Sequence, residues 1–416
     1  MSTDVAAHLT EVVLPWWEHN AIDDAPGVRT CFDNRGRFES SDRLTWSQGR
    51  WAWLSAELAL DAEAGRLDLA PDAEQTWAER SRGTARFLAR SAVLPDGRTH
   101  FRLDDTGHPP AGLSAEESAS SVFADLFAVL GIVGALRAPR PNGTAADEAE
   151  RAELRETAGR ILGSARDRMA AGTARTEPYP VRAGFVDLAS PMIRLHAAAE
   201  AARADVPGSR EIARAAWDEL VGPDGLLQPG FWWEFRPDAS SDEDTLLARH
   251  VTPGHLLELL WMLVHAADDD DTLTIPSWLP DLASIALERG WDEEYGGIRR
   301  YIDRSGGAPA GRLFGGDRYE DLVLATADTK LWWVQVEALY AARLLGERFD
   351  RPDLLRWAER IADYTFTTFP DPDGAEWIQI RARDGSPLDA VVALPVKDPF
   401  HIIRGLILVN RLAYAA

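Results

Sequence analysis

The feature that most narrows the fold is serial. Apolar positions recur at helical spacing in segment after segment, and no series of strands accumulates that could build a parallel sheet. The spacing predicts helices over 3–18, 45–62, 73–92, 114–137, 145–171, 185–203, 207–220, 253–267, 276–289, 328–346, 352–368 and 399–413. Hairpin-like stretches interrupt them at 29–44, 93–103, 291–313 and 374–396. A strand-rich insertion carries Phe231-Trp232-Trp233-Glu234-Phe235, and a polar loop expected to be mobile follows at Ser240 to Asp244. Pro139-Arg140-Pro141-Asn142-Gly143 reads as a turn between helices, not a domain linker. About twelve helices in one chain predict an all-α fold, an (α/α)6 barrel with the hairpins at its mouth. The expected organisation is a single domain over 1–416.

Composition excludes several partners. Forty-four basic against 67 acidic residues leave a net charge of −23. That balance argues against nucleic acid and anionic membrane surfaces. Met1-Ser2-Thr3-Asp4 lacks the basic and apolar regions of a signal peptide, and no apolar run of membrane-spanning length is present. A cytoplasmic location is expected. One cysteine, Cys31, rules out a disulfide framework within the chain. The run Asp268 to Asp271 reads as a solvated turn at a helix end. Tryptophan is abundant, 16 against 7 tyrosines. The rings fit either helix–helix packing or a cleft in which they stack on sugar faces.

The chemistry is concentrated in a repeated local pattern. Thr252-Pro253-Gly254-His255 and Asp398-Pro399-Phe400-His401 both place cap, proline, one residue and histidine in that order. Each histidine is expected in the first turn of a helix, with Glu258 or Arg404 three residues on, along the same face. A helix start disfavours imidazolium, so both rings are expected to lean toward the neutral form that accepts a proton. Two such histidines facing one pocket would make a proton-transfer site. No metal is expected: HEXXH is absent and there is no cysteine cluster.

These segments resemble the N-acylglucosamine 2-epimerase family. Arg249 with Pro253-Gly254-His255, Glu258 and Trp261 resembles its signature helix. So do Lys330-Leu331-Trp332-Trp333-Val334-Gln335-Val336-Glu337-Ala338 and Lys397-Asp398-Pro399-Phe400-His401-Ile402-Ile403-Arg404. Thr30-Cys31-Phe32, Trp46-Ser47-Gln48-Gly49-Arg50 and Pro191-Met192 are similar to its renin-binding-protein branch. The resemblance runs in order through essentially the whole chain. It implies an (α/α)6 barrel and isomerisation of a small-molecule sugar without a redox cofactor. The reaction is epimerisation at C2 or mannose–fructose interconversion, and homodimers occur. His255 and His401 match the proton-transfer histidines, Arg50 a sugar contact and Glu258 the acid supporting the first histidine. Arg194 stands where many cellobiose epimerases and mannose isomerases carry a further histidine, and His196 is displaced from that register. Thr252 replaces a frequent asparagine and Asp398 a glycine.

The remaining site candidates come from the residues alone. Arg404 suits a ligand contact or a carboxylate partner, Trp377 a stacking platform or core packing, and Glu234 the mouth of the barrel. Arg194 and His196 are kept as substrate-binding candidates. Lys330 and Glu337 are expected to pair with each other. Two readings compete with the isomerase. A glycoside hydrolase would use two carboxylates such as Glu234 and Glu376. A non-enzymatic sugar- or protein-binding module would tolerate His255→Asn.

Overall fold

The structure, a computed structural model, describes residues 4–140, 143–374, 376–391 and 394–415. Met1 to Thr3 of the N-terminal reading, Pro141 and Asn142 of the predicted turn, and 375 and 392–393 of the last hairpin lie outside the described residues. Among the described residues eleven α-helices have twelve residues or more, and the helical run from Val5 to Asn20 makes twelve. Six are buried nearly all round: Thr45–Glu63, Val122–Arg137, Ala189–Arg203, Pro253–Asp269, Trp332–Arg348 and Phe400–Ala415. In sequence they alternate with helices that bury one stripe, such as Ala73–Phe87 and Pro352–Thr368. An all-round apolar helix needs neighbours on every side, whereas an amphipathic one can face water. The alternation therefore follows from the sequence pattern.

The chain divides into two compact units, 4–178 with 193–213 and 393–416, and 179–192 with 214–392. In the first, Thr45–Glu63 packs on Val122–Arg137 through two glycines. A Cβ on Gly49 would stand 1.9 Å from the Phe127 carbonyl oxygen, and one on Gly131 would stand 2.7 Å from the Gly49 Cα. Only hydrogen at these positions lets the backbones approach so closely. In the second unit Pro253–Asp269 packs on Trp332–Arg348, which packs in turn on Pro352–Thr368.

Short extended segments precede the buried helices and are tied down by hairpins of the same unit. Arg43–Leu44 pairs with Arg102–Leu103, His250–Val251 with Ile302–Asp303, and Lys330–Leu331 with Ile380–Arg381. Phe185–Asp187 pairs with Phe235–Pro237, Ser121 bridges Thr176, and the Lys397 N–H donates to the Thr30 carbonyl. Two first-turn glutamines repeat one device. Gln48 accepts from the Val28 N–H and donates to its carbonyl at 2.8 and 2.9 Å, and Gln335 does the same to Ile298 at 2.9 Å both ways. These ties fix the first turns of the helices, where the unused N–H groups lie.

The elements depart from expectation in a few places. The predicted helix 114–137 is two. Ser114 closes a capping box on Ala115–Ser118, and the chain restarts at Val122 after the Ser121 bridge. The helices predicted from 185 and 328 begin only at Ala189 and Trp332, because strand pairing claims the residues before them. Arg318–Thr326 is an unpredicted helix, started by Asp317 accepting from two N–H groups. Ser240 to Asp244 is a pinned turn: Arg312 bonds the Ser241 carbonyl and the carboxylates of Asp242 and Asp244, all at 3.0 Å. Asp268 and Asp270 end their helix in ion pairs with Arg348 and Arg214.

Candidate active site

His255 stands on the third residue of Pro253–Asp269, as its cap–proline pattern predicts. The capping itself differs. The Thr252 side chain makes no cap bond; instead its backbone N–H donates to Glu234 Oε2 at 3.1 Å. The other oxygen, Oε1, lies 2.6 Å from His255 Nδ1. Glu234 is 1% exposed, and the strands around it carry it to the helix start. The Leu188 N–H donates to its carbonyl at 2.9 Å. A carboxylate at Nδ1 fixes the proton there, so Nε2 is the nitrogen that exchanges protons.

The expectation of a ring leaning neutral is reversed for His255. Burial alone would lower its pKa. The Glu234 carboxylate, with a smaller contribution from Glu258, raises it above the usual histidine value. The fixed charge outweighs the partial charge of a helix start. In return the imidazole holds buried Glu234 below the normal range. Trp333 stacks on the ring, with centroids 5.2 Å apart and planes at 28°. Gly254 makes room for it: a Cβ there would stand 2.6 Å from the indole.

In the other unit Asp398 begins Phe400–Ala415. Its Oδ1 accepts from the Phe400 N–H at 3.0 Å. Its Oδ2 lies 3.6 Å from His401 Nε2 and 3.5 Å from Arg50 Nη1. Arg404, 1% exposed, reaches back one turn, with Nη2 3.1 Å from His401 Nδ1. Guanidinium only donates, so Nδ1 must accept and the ring proton lies on Nε2. Arg50 sits among rings, with its Cζ 4.0 Å from the Phe127 centroid, 5.0 Å from Phe400 and 5.3 Å from Trp46. The structure thus brings Arg50, Asp398, His401 and Arg404 together.

The other candidates are buried. His196 packs against Trp53, and Arg194 Nη1 lies 3.9 Å from Met169 Sδ. Trp377 is 0% exposed against Phe366 and Phe369 and presents no face to solvent. Glu376 accepts from the Trp377 N–H and from Gln379. Lys330 does not pair with Glu337. It bonds Asp292 at 3.3 Å and the Gly296 carbonyl, while Glu337 accepts from Trp261 Nε1 at 2.7 Å. The Glu234–His255 bond was missed in the sequence reading because it spans 21 residues and a hairpin. The available signal was a carboxylate within an aromatic strand.

Residues 192–404 match the family described as N-acylglucosamine 2-epimerase (GlcNAc 2-epimerase). Bovine N-acylglucosamine 2-epimerase is 26% identical, covering 97% of this chain and 88% of its own. Cellobiose 2-epimerase from Bacillus thermoamylovorans superposes with TM-score 0.73 at 15% identity, over 98% of both chains. A D-mannose isomerase gives 0.71 at 15% identity, over 99% of this chain and 98% of its own. Fold and relatives define a sugar isomerase of the (α/α)6-barrel class. The family match takes in more than half of the sequence, and the chain belongs to the N-acylglucosamine 2-epimerase family.

Proposed function

We propose that this protein epimerises a free sugar at C2, with an N-acylated hexosamine of the glucosamine–mannosamine type as its first candidate substrate. The 26% identity to the bovine enzyme over nearly the full chain supports that choice of sugar. The observation that carries the chemistry is the buried Glu234 carboxylate on His255 Nδ1. It leaves Nε2 as a base of raised strength at the start of a helix. The sugar opens to its aldehyde, and a base removes the C2 proton to leave an enolate, which is an enediolate where C2 carries a hydroxyl instead of the acylamino group. Return of a proton to the opposite face of C2 gives the epimer. Removal and return of a proton at C2 transfers no hydride or electron, so these steps draw on no redox equivalents. His255 and His401 alternate as base and acid. Arg50 offers its cation to a sugar oxygen or to the charge developing on the C1 oxygen of the enolate.

Proton NMR in D2O tests this, with N-acetylmannosamine, mannose, glucose and fructose supplied separately. Deuterium at C2 together with an epimer is the expected result. A ketose from mannose would reassign the reaction to aldose–ketose isomerisation, in which the proton returns to C1. No exchange with any sugar would sink the reading. His255→Asn and His401→Asn should each lower the rate roughly 10²–10⁴-fold.

A further inference from the structure

Three of the chain's seven tyrosines converge on one buried arginine. Arg300 is 4% exposed. Its Nη1 lies 3.1 Å from Thr326 Oγ1, its Nη2 3.4 Å from the Tyr179 hydroxyl, and its Cζ 4.8 Å over the Tyr301 ring. Tyr319 packs on both Tyr179 and Tyr301, with ring centroids 6.1 and 6.4 Å away. Every partner of this guanidinium among the described residues is a neutral hydroxyl or ring. Arg137, another largely buried arginine, is ion-paired to Glu57 and Glu200. A buried cation without a carboxylate carries a desolvation cost that no counter-charge offsets, and its field is felt by the titratable groups around it.

The hairpin register places it. His250 pairs with Asp303 and Val251 with Ile302, so Arg300 and Tyr301 lie beside the segment that runs into Thr252-Pro253-Gly254-His255. The Tyr301 ring stands 5.9 Å from the His250 ring. His250 also packs on Phe235, the neighbour of Glu234 in sequence. We propose that Arg300 is a positioning residue for proton transfer: its charge opposes protonation of His255 and keeps Nε2 available as a base while Glu234 stays ionised. This rests on the reading of His255 as an acid–base group.

The charged and titratable groups around His255 and Glu234 act in both directions, and Asp187, paired with Phe235, is itself pushed up by burial and by the Glu234 charge. Glu234 and Glu258 favour imidazolium, and Arg300 disfavours it. His250 faces Glu234 and is held toward its neutral form by burial. With the carboxylates alone, His255 would retain its proton further into the working pH range.

The experiment is a pH titration of the His255 ring by NMR in the substrate-free protein, assigned with His255→Asn, beside the pH profile of kcat/KM. Arg300→Met removes the charge and keeps the length. Removing a cation raises the imidazole pKa, so the titration and the ascending limb should both move alkaline. The expected size is about one unit, a tenfold change in the protonation equilibrium. Arg300→Gln serves in the same way if Arg300→Met does not fold. Arg300→Lys should restore most of the wild-type value. Tyr179→Phe, which removes a tether and no charge, should leave it near wild type. An unshifted His255 titration in a folded Arg300→Met protein overturns the proposal. A shift in a protein whose wild type exchanges no sugar proton supports the charge coupling and overturns the proposed function instead.

Discussion

His255 and His401 share one local sequence pattern, but groups of opposite charge meet their Nδ1 atoms. At His255 a carboxylate meets Nδ1; at His401 a guanidinium does. The two rings therefore carry their protons on different nitrogens, a distinction that cap, proline and histidine alone do not encode. Glu234→Gln isolates the carboxylate. Its charge raises the His255 pKa, so its loss should move the ascending limb of kcat/KM toward acid. The rate falls as well, because an amide holds the Nδ1–H tautomer less firmly. A pH–rate profile measures both effects, and an unchanged limb would mean that another group sets it. Both histidine positions were legible in the sequence, since helix starts have strong local signals. Glu234 as partner was not, because pairing across a hairpin has none.

At the level of elements, each buried helix begins at a segment tied to a hairpin or loop, so the hairpins set where the first turns sit. Gly254 shows how narrow the tolerance is. A methyl there would press into the indole that stacks on His255. Gly254→Ala should therefore reduce turnover more than it lowers the melting temperature. Gly49→Ala should do the reverse. It forces helix backbones apart and should cost about 3 kcal/mol, read as a lower denaturation midpoint. Asp125 makes a pH prediction. It accepts from the Thr99 N–H and hydroxyl at 2.7 Å and from Arg168 at 2.6 Å, yet burial pushes its pKa up to about 6. Its folded value lies above its unfolded one. Its stabilising contribution is therefore fully present below about pH 4 and is lost as pH rises through about 6. Between those limits Asp125→Asn should flatten the fall in stability with rising pH, measured by chemical denaturation at each pH.

At the scale of the whole molecule, the twelve helices were legible because amphipathic and all-apolar segments alternate along the chain. Their exact starts were not, because two-residue strands claimed residues such as Lys330 and Leu331 that have no local strand signal. Trp377 was ambiguous for a similar reason: a ring that stacks on sugar and a ring that packs against Phe369 read alike in sequence. The net charge of −23 makes a last prediction about the substrate. A molecule this acidic repels anions at long range, and salt screens that repulsion over about 10 Å at 0.1 M. A neutral N-acylated or free hexose feels no such field. If the substrate is neutral, KM should stay constant within about twofold between 0.05 and 0.5 M salt, where the screening length falls severalfold. A sugar phosphate or sugar acid would instead show KM falling as salt rises, because screening removes the barrier to its approach. Initial-rate measurements of KM for N-acetylmannosamine and for its 6-phosphate across that salt range check this: a constant KM for the neutral sugar and a falling one for the phosphate are expected, and better turnover of the phosphate at every salt concentration would redirect the search to anionic sugars.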